Sequence, residues 1–317
     1  MKATNTVNSH LSLGEWLHEN FMLFKMRIKS FSAMDESIKS VFERVESLDA
    51  ITVQYSRKRI RDCQILEIGF GANPHLMIAL QSMGCDVIGI DLDQPVLHFR
   101  TKYFYSIYKK NGVGRLVKSF VRSVLFDRYE RNALARLLES KGFGMKIDES
   151  AYKVGDAAEF VFEKESFDLI FSNLVFMHIP IEKMSHLVRK MSEWLRPDGI
   201  ALIRIGIHTG ISGGLLTEWY PHLLNENIQR RSSPWEHLRK KRFEADYYQN
   251  KLRLKEYRQI LSGYFEILEE INETPDLGRK FLTPEIRAEL SDYSESELLS
   301  FRYTFILGKP SESPMLS

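Results

Sequence analysis

Only two cysteines, Cys63 and Cys85, occur in 317 residues, too few for a disulfide framework or a cysteine-rich zinc site. Neither sign of charge prevails: 44 Lys and Arg face 42 Asp and Glu, a formal balance of +2. The overall charge therefore gives no pointer to nucleic acid. No apolar run approaches the ~18 residues that span a bilayer. From Met1 to Lys29 the apolar residues are interrupted by Asn8, His10, Glu15, His18 and Glu19, so a secretory-signal core is not expected. Internal repeats and low-complexity tracts are missing too. These absences predict a reduced, soluble, cytoplasmic protein. What is present suits a globular fold: 44% hydrophobic and 27% charged residues supply a sizeable core for one large domain or two.

The charges are unevenly placed. Arg100 to Arg136 carries ten basic and two acidic residues, and Asn227 to Arg258 carries ten against four. Glu266 to Leu299 reverses the sign, with three basic and ten acidic residues. Solvated helix faces account for such runs, and so does a basic face beside an acidic flank.

Helical spacing marks Leu11, Leu13, Trp16, Leu17, Phe21 and Phe24, and again Ile38, Val41, Phe42, Val45 and Leu48. The pattern then changes to strand, helix, strand: Gln64–Ile68, a short helix through Leu76–Leu80 stopped by Gly84, and Asp86–Ile90. That is a βαβ unit and predicts a parallel sheet. Further strands are expected at Tyr152–Val154, Phe167–Ser172, Ile200–Ile207, Tyr264–Ile271 and Phe301–Leu307. A helix with an apolar stripe (Met184, Leu187, Val188, Met191, Trp194, Leu195) lies between Pro180 and the Pro197-Asp198-Gly199 turn. The expected fold is an α/β, Rossmann-like, mostly parallel seven-stranded sheet with helices on both faces. Helical cap insertions are expected at about 97–150 and 209–258, since loops that long rarely lack structure.

The sharpest motif is Ile65-Leu66-Glu67-Ile68-Gly69-Phe70-Gly71-Ala72-Asn73-Pro74. Glycines after a buried strand let the backbone turn tightly and approach a ligand. Asn73 suits a helix cap and Pro74 a first helical position. A dinucleotide fingerprint would need a third glycine where Pro74 stands. Asp91, twenty residues past Gly71, is placed to meet a ribose diol, and Asp156 follows the third strand.

Taken in order, these landmarks resemble the class I S-adenosylmethionine-dependent methyltransferases. The resemblance runs from about Arg61 to Gly308. It rests on the glycine loop with Glu67, Ile88-Gly89-Ile90-Asp91, Gly155-Asp156-Ala157, Phe167-Asp168-Leu169-Ile170-Phe171-Ser172-Asn173 and Trp194-Leu195-Arg196-Pro197-Asp198-Gly199. It implies S-adenosyl-L-methionine as cofactor, with S-adenosyl-L-homocysteine as product. Glu67, Gly69, Phe70, Gly71 and Asn73 would serve the methionine end, Asp91 and Leu92 the ribose side, and Asp156 and Ala157 the adenine. Asn173 would lie beside the methionine portion or the acceptor. Asp168 reads as structural. The implied organisation is an amino-terminal helical lid over 1–60, a methyltransferase domain over 61–308 with both insertions, and a tail over 309–317.

Methyl transfer from a sulfonium is an in-line displacement in which alignment supplies much of the rate. A base is needed where the acceptor must lose a proton. His178 and His208, beyond the fourth and fifth strands, are the candidates, although structural hydrogen bonding explains either one. Their separation offers no metal pattern, so no metal is expected. Asn173 is followed by Leu174-Val175, not the Pro-Pro-aromatic sequence of many methyltransferases of planar amino groups. Asn250-Lys251-Leu252-Arg253-Leu254 and Tyr257 resemble a segment of methyltransferases from glycan and secondary-metabolite pathways. The expected function is O-methylation of a small molecule or a glycan or secondary-metabolite intermediate, with an anionic acceptor suggested by the basic insertions. An RNA or protein methyltransferase, and a non-catalytic cofactor-binding interaction protein, are the alternatives.

Overall fold

The computed structural model describes residues 34–310 except 240–247, together with Gly14, Phe21, Met22, Lys25 and Ile28. Leu11, Leu13, Trp16, Leu17 and Phe24 of the amino-terminal stripe lie outside the described residues, as does the tail from 311.

The apolar runs become strands β1 (Gln64–Ile68), β2 (Asp86–Asp91), β3 (Tyr152–Val154), β4 (Phe167–Asn173) and β5 (Leu195–Gly206), followed by β6 (Glu266–Asn272) and β7 (Arg302–Gly308). They form one seven-stranded sheet in the order β3-β2-β1-β4-β5-β7-β6. The first five are parallel, whereas β7 runs antiparallel to both β5 and β6. Ile65 through Ile68 are all buried in β1, as a parallel strand covered on both faces requires.

On one face lie α1 (Met34–Ser56), α2 (His75–Ser82), α3 (Thr101–Arg122) and α4 (Arg128–Ser140), with a π-helical turn, Ser123–Asp127, joining the last two. Ile38 and Phe42 of α1, Leu80 of α2, Ile107 of α3 and Leu134 of α4 bury themselves there with Ile65 and Phe171. The opposite face is covered by α5 (Ile181–Trp194) and, beyond the single turn α6 (Glu236–Arg239), by α7 (Leu254–Ser262). The predicted stripe of α5 (Met184, Leu187, Val188, Met191, Trp194) is buried against Ile203 and Phe305. Two short helices, α8 (Pro284–Glu289) and α9 (Glu295–Leu298), precede β7.

Three local expectations are corrected. The predicted Pro197-Asp198-Gly199 turn lies inside β5 as a bulge, because Phe167 pairs with Leu195 while Leu169 pairs with Ile200. Buried Asp168 holds this end of the sheet together, bonding Lys58 Nζ at 2.7 Å, the Gln64 amide at 2.8 Å and the Arg196 guanidinium. Pro74 takes the N-cap position of α2, while the Asn73 amide donates instead to Glu130 of α4 at 2.9 Å. The described part of the second insertion is mostly irregular rather than helical. Apart from α6, Thr217–Trp219 and Pro221–Leu223 are its only helical turns before Leu254 among the described residues. Its glycines show why: a Cβ on Gly210 would meet the Ser300 carbonyl at 1.9 Å, and one on Gly213 the His208 carbonyl at 2.0 Å. This backbone is pressed against backbone, a packing closed to a helix with side chains.

The two insertions also join different cores. The first packs with α1 and α2. The second buries Trp219 and Trp235 with Ile211, Leu290 and Leu298, the last two from the acidic stretch. Arg253 grips Glu297 through two nitrogens at 2.8 Å each, and Arg239 grips Glu289 at 2.6 and 2.7 Å. The basic and acidic segments thus neutralise one another in part. Asn250 stitches this layer to the turn after β4, donating to the carbonyls of Phe176 and Ile179 and accepting from the Tyr257 hydroxyl. No described helix is long and apolar enough to cross a membrane.

Candidate active site

In an open parallel sheet the ligand crevice lies beyond the carboxyl ends of the strands. There β1 runs into a loop in which Gly69 and Gly71 have φ of 86° and 70°, a region that side chains rarely tolerate. Gly69 is boxed in as well, since a Cβ would sit 2.1 Å from Val175 Cγ2. Gly71 faces open space, with nothing within 4 Å of the Cβ position. Phe70 turns inward, buried edge-on against Tyr152 with ring centroids 5.5 Å apart.

The loop is tied down by its neighbours. The Gly69 amide donates to the Ile90 carbonyl at 2.7 Å, and Asp91 accepts from the amides of Gly71 (2.7 Å) and Asp93 (2.8 Å). Burial pushes the Asp91 carboxyl up, against the pull of those two amides. Leu92 beside it is 69% exposed. Asp156 caps the turn at Ala157–Glu159 through the Ala158 amide and is engaged by Lys183. Burial opposes its charge, but the Lys183 bond prevails and leaves the carboxyl below its ordinary value. Ala157 packs half-buried on the core of the α5 face, and Asn173 accepts from the Arg204 guanidinium at 3.2 Å.

Glu67 points to the α1 side and is 5% exposed. Burial drives its carboxyl up to about 8, with Arg44 lowering it and Asp91 raising it. Its Oε2 is buried without a hydrogen-bond partner, an expensive state for a polar atom. An amino-acid cofactor brings an ammonium group, and this orphaned oxygen together with the open space over Gly71 fits such a group.

Both candidate histidines occupy the crevice side. His178 ends the turn Phe176–His178 after β4, and its Nδ1 lies 2.9 Å from the Tyr248 carbonyl. His208 follows β5, with Nδ1 3.3 Å from the Gly213 carbonyl. A carbonyl only accepts, so each of these contacts is made by a protonated Nδ1. A third histidine went unpredicted. His237 packs edge-on to His208 at 4.9 Å and bonds the His208 carbonyl through Nε2. Burial and the His208 charge push its pKa down to about 3. Arg44, Arg204, Arg302 and Glu273 were also missed; the single charge of Arg204 in the run Ile200–Ile207 is a signal that could have found it. Among the described residues no cluster of His, Cys, Asp and Glu is arranged to hold a metal ion.

Residues 112–203 match the family model described as a methyltransferase domain. The match begins inside α3, within the first insertion, takes in β3 and β4 and ends within β5, so it leaves out the glycine loop and β2. No curated protein matches in sequence. Among solved structures, a SAM-dependent methyltransferase from Methanosarcina mazei is 17% identical, covering 80% of this chain and 94% of its own, with TM-score 0.42. Geranyl diphosphate C-methyltransferase from Streptomyces coelicolor A3(2) is 12% identical over 84% and 77%, with TM-score 0.41. Phosphoethanolamine N-methyltransferase 2 from Haemonchus contortus is 19% identical over 78% and 48%, with TM-score 0.38. A mostly parallel seven-stranded sheet is what the landmarks imply; the strand order and the antiparallel β7 beside β5 are what the structure adds. Residues 112–203 are thus similar to a methyltransferase domain, set within the Rossmann-like sheet that the glycine-loop landmarks imply.

Proposed function

We propose that the chain methylates a hydroxyl of a small, anionic acceptor, a free metabolite or a glycan intermediate. The cofactor supplies an electrophilic methyl on its sulfonium. The Gly69–Gly71 loop and Glu67 bind its methionine end, Asp91 and Leu92 flank its ribose, and Asp156 and Ala157 meet its adenine. Asn73 supports the loop from behind through Glu130, and Asn173 stands where cofactor and acceptor meet. A hydroxyl attacks well only as its proton leaves. The observation that carries the reading is the placement of His178 and His208 beyond β4 and β5, each with Nδ1 beside a backbone carbonyl. His208, which follows the strand carrying Arg204, is the first choice as base, and His178 the second.

The test is methyl transfer from labelled S-adenosylmethionine into an extract of small molecules, with nuclease- and protease-treated controls. Label in a small acidic compound, released as a methyl ether, is the expected result. Label that disappears on nuclease or protease treatment would overturn the small-molecule reading.

A further inference from the structure

Three arginines from three elements converge on the α1 face of the sheet, at the carboxyl end of β5. Arg204 of β5 pairs with Thr304 of β7, and Arg302 of β7 pairs with Gly206. Residues two apart on a strand share a face, so Arg302 and Thr304 lie on the side of Ile306, which packs in the α1 cluster. Arg44 reaches in from α1, within electrostatic range of Arg204, Glu67 and Glu273.

The positive charge there is not balanced. Glu273 is committed to its neighbours, accepting from Arg204 Nε at 2.9 Å and the Thr304 hydroxyl at 2.6 Å. Burial opposes its charge, but the Arg204 and Thr304 bonds hold it ionised. Glu67, held near 8 by burial, is mainly neutral at pH 7. Arg302 Nε is buried with no hydrogen-bond partner. Burial and the field of Arg204 lower the pKa of both Arg302 and Arg44. Among the described residues Arg44 makes no hydrogen bond or ion pair. Three guanidinium groups therefore face a single ionised carboxylate. A buried guanidinium nitrogen without a partner, as at Arg302, is costly, and a planar guanidinium fork matches the oxygens of a phosphate or carboxylate.

We infer that Arg44, Arg204 and Arg302 bind an anionic group of the methyl acceptor, a phosphate or a carboxylate, and hold the acceptor beside Asn173. This assignment rests on the methyltransferase reading above. Arg204 already spans the two sites, donating to Asn173 with one nitrogen and to Glu273 with others. The site remains open to solvent along α1, where the Arg44 residue is exposed. The cofactor's own carboxylate offers the same chemistry, and the experiment separates the two sources.

Inorganic phosphate is titrated calorimetrically into protein saturated with S-adenosylhomocysteine, using wild type, Arg44→Met and Arg302→Met. Arg44 lies on the exposed side of a long helix, so its variant keeps the fold even where Arg302→Met does not. The expected result is phosphate binding by wild type, weakened tenfold or more in each folded variant, with S-adenosylhomocysteine affinity changed by less than about threefold. Phosphate binding that is absent in wild type, or equal in wild type and variants, would overturn the site. A tenfold loss of S-adenosylhomocysteine affinity in the variants would hand the arginines to the cofactor carboxylate instead. Wild type that binds phosphate but not S-adenosylhomocysteine would sink the methyltransferase reading, and the acceptor assignment with it, while leaving an anion site in place.

Discussion

The Gly71 amide donates to the Asp91 carboxylate at 2.7 Å, so the glycine loop and the end of β2 hold each other. A ribose hydroxyl arriving at Asp91 must share that carboxylate with two backbone amides, and a carboxylate has lone pairs for both tasks.

Asp91→Ala therefore removes a ligand acceptor and a loop tie together. We expect S-adenosylhomocysteine affinity to fall by roughly ten- to a hundredfold, which corresponds to losing about 1.5–3 kcal/mol of charge-assisted hydrogen bonding. Calorimetry on a folded variant checks it. An unchanged dissociation constant would remove Asp91 from the cofactor site.

The two loop glycines are predicted to fail differently. Gly69→Ala drives a Cβ to 2.1 Å from Val175 Cγ2 at a φ of 86°, so the fold itself should suffer by several kcal/mol, as overpacking and backbone strain add. Gly71→Ala meets no atom within 4 Å and carries only the left-handed penalty of about 1–2 kcal/mol. Its new methyl enters the space assigned to cofactor, so affinity should drop tenfold or more with a modest fall in Tm. Thermal denaturation and titration of both variants separate the effects. Wild-type affinity in Gly71→Ala would mean that the cofactor does not approach there.

The glycine loop, the strands up to β5 and the α5 stripe were legible because each depends on local periodicity or on a turn that only glycine permits. Asp168 was rightly read as structural from its place at the start of a strand. The second insertion was not legible. Its aromatics, Trp219 and Trp235, read as helix-packing residues, yet they are buried against Leu290 and Leu298 of a segment more than fifty residues away in sequence. Arg204 was visible as a charge within an apolar strand, but its meaning required Arg44 and Arg302, which only the packing of α1 and the antiparallel β7 bring beside it. Asn73 looked like a cap, and its actual partner, Glu130, belongs to a helix that sequence alone could not place.

Glu67 should leave a signature in pH dependence. Its folded-state pKa of about 8 lies above the ordinary 4.5, so between those values the folded chain keeps a proton that the unfolded chain has released. Stability consequently falls as pH rises from about 4.5 to 8 and levels off above, by an amount on the order of 4 kcal/mol. Glu67→Gln lacks the titrating group. Urea denaturation should show the variant gaining on wild type at pH 8 relative to pH 5. An ammonium group beside Glu67 would also favour its ionised form. Binding of S-adenosylhomocysteine near pH 7 should then release a proton, seen as a buffer-dependent calorimetric enthalpy. Parallel pH profiles for both proteins would refute the assignment.

Asn250 holds the turn that carries His178, and its side chain makes three hydrogen bonds in addition to capping the Leu252 amide. Asn250→Ala takes the side-chain partner from the part-buried Ile179 carbonyl and the buried Tyr257 hydroxyl, and leaves the Phe176 carbonyl with the Ile179 amide alone. A loss of about 2–4 kcal/mol is expected in denaturant titrations. A stability change below about 0.5 kcal/mol would show that this stitch is not what fixes the turn.

The base is the last point to test, and the tautomers sharpen it. In both His178 and His208 the Nδ1 proton is directed at a carbonyl, so whichever ring is the base would take the substrate proton through Nε2. They differ in support. His178 is exposed and rests on a bond to Tyr248, whereas His208 is half-buried and flanked edge-on by neutral His237. A ring held on two sides is better oriented for repeated proton transfer, which favours His208. Replacing the true base by alanine should lower turnover by roughly a hundred- to ten-thousandfold with cofactor affinity nearly unchanged. His237→Phe should weaken a His208 base more mildly, since it disturbs orientation and leaves the accepting nitrogen in place. Single-turnover assays of the three variants with the acceptor, each checked for fold and S-adenosylhomocysteine binding, decide between the histidines. Near-wild-type turnover in both His178→Ala and His208→Ala would remove both as bases and leave alignment at the sulfonium as the source of rate.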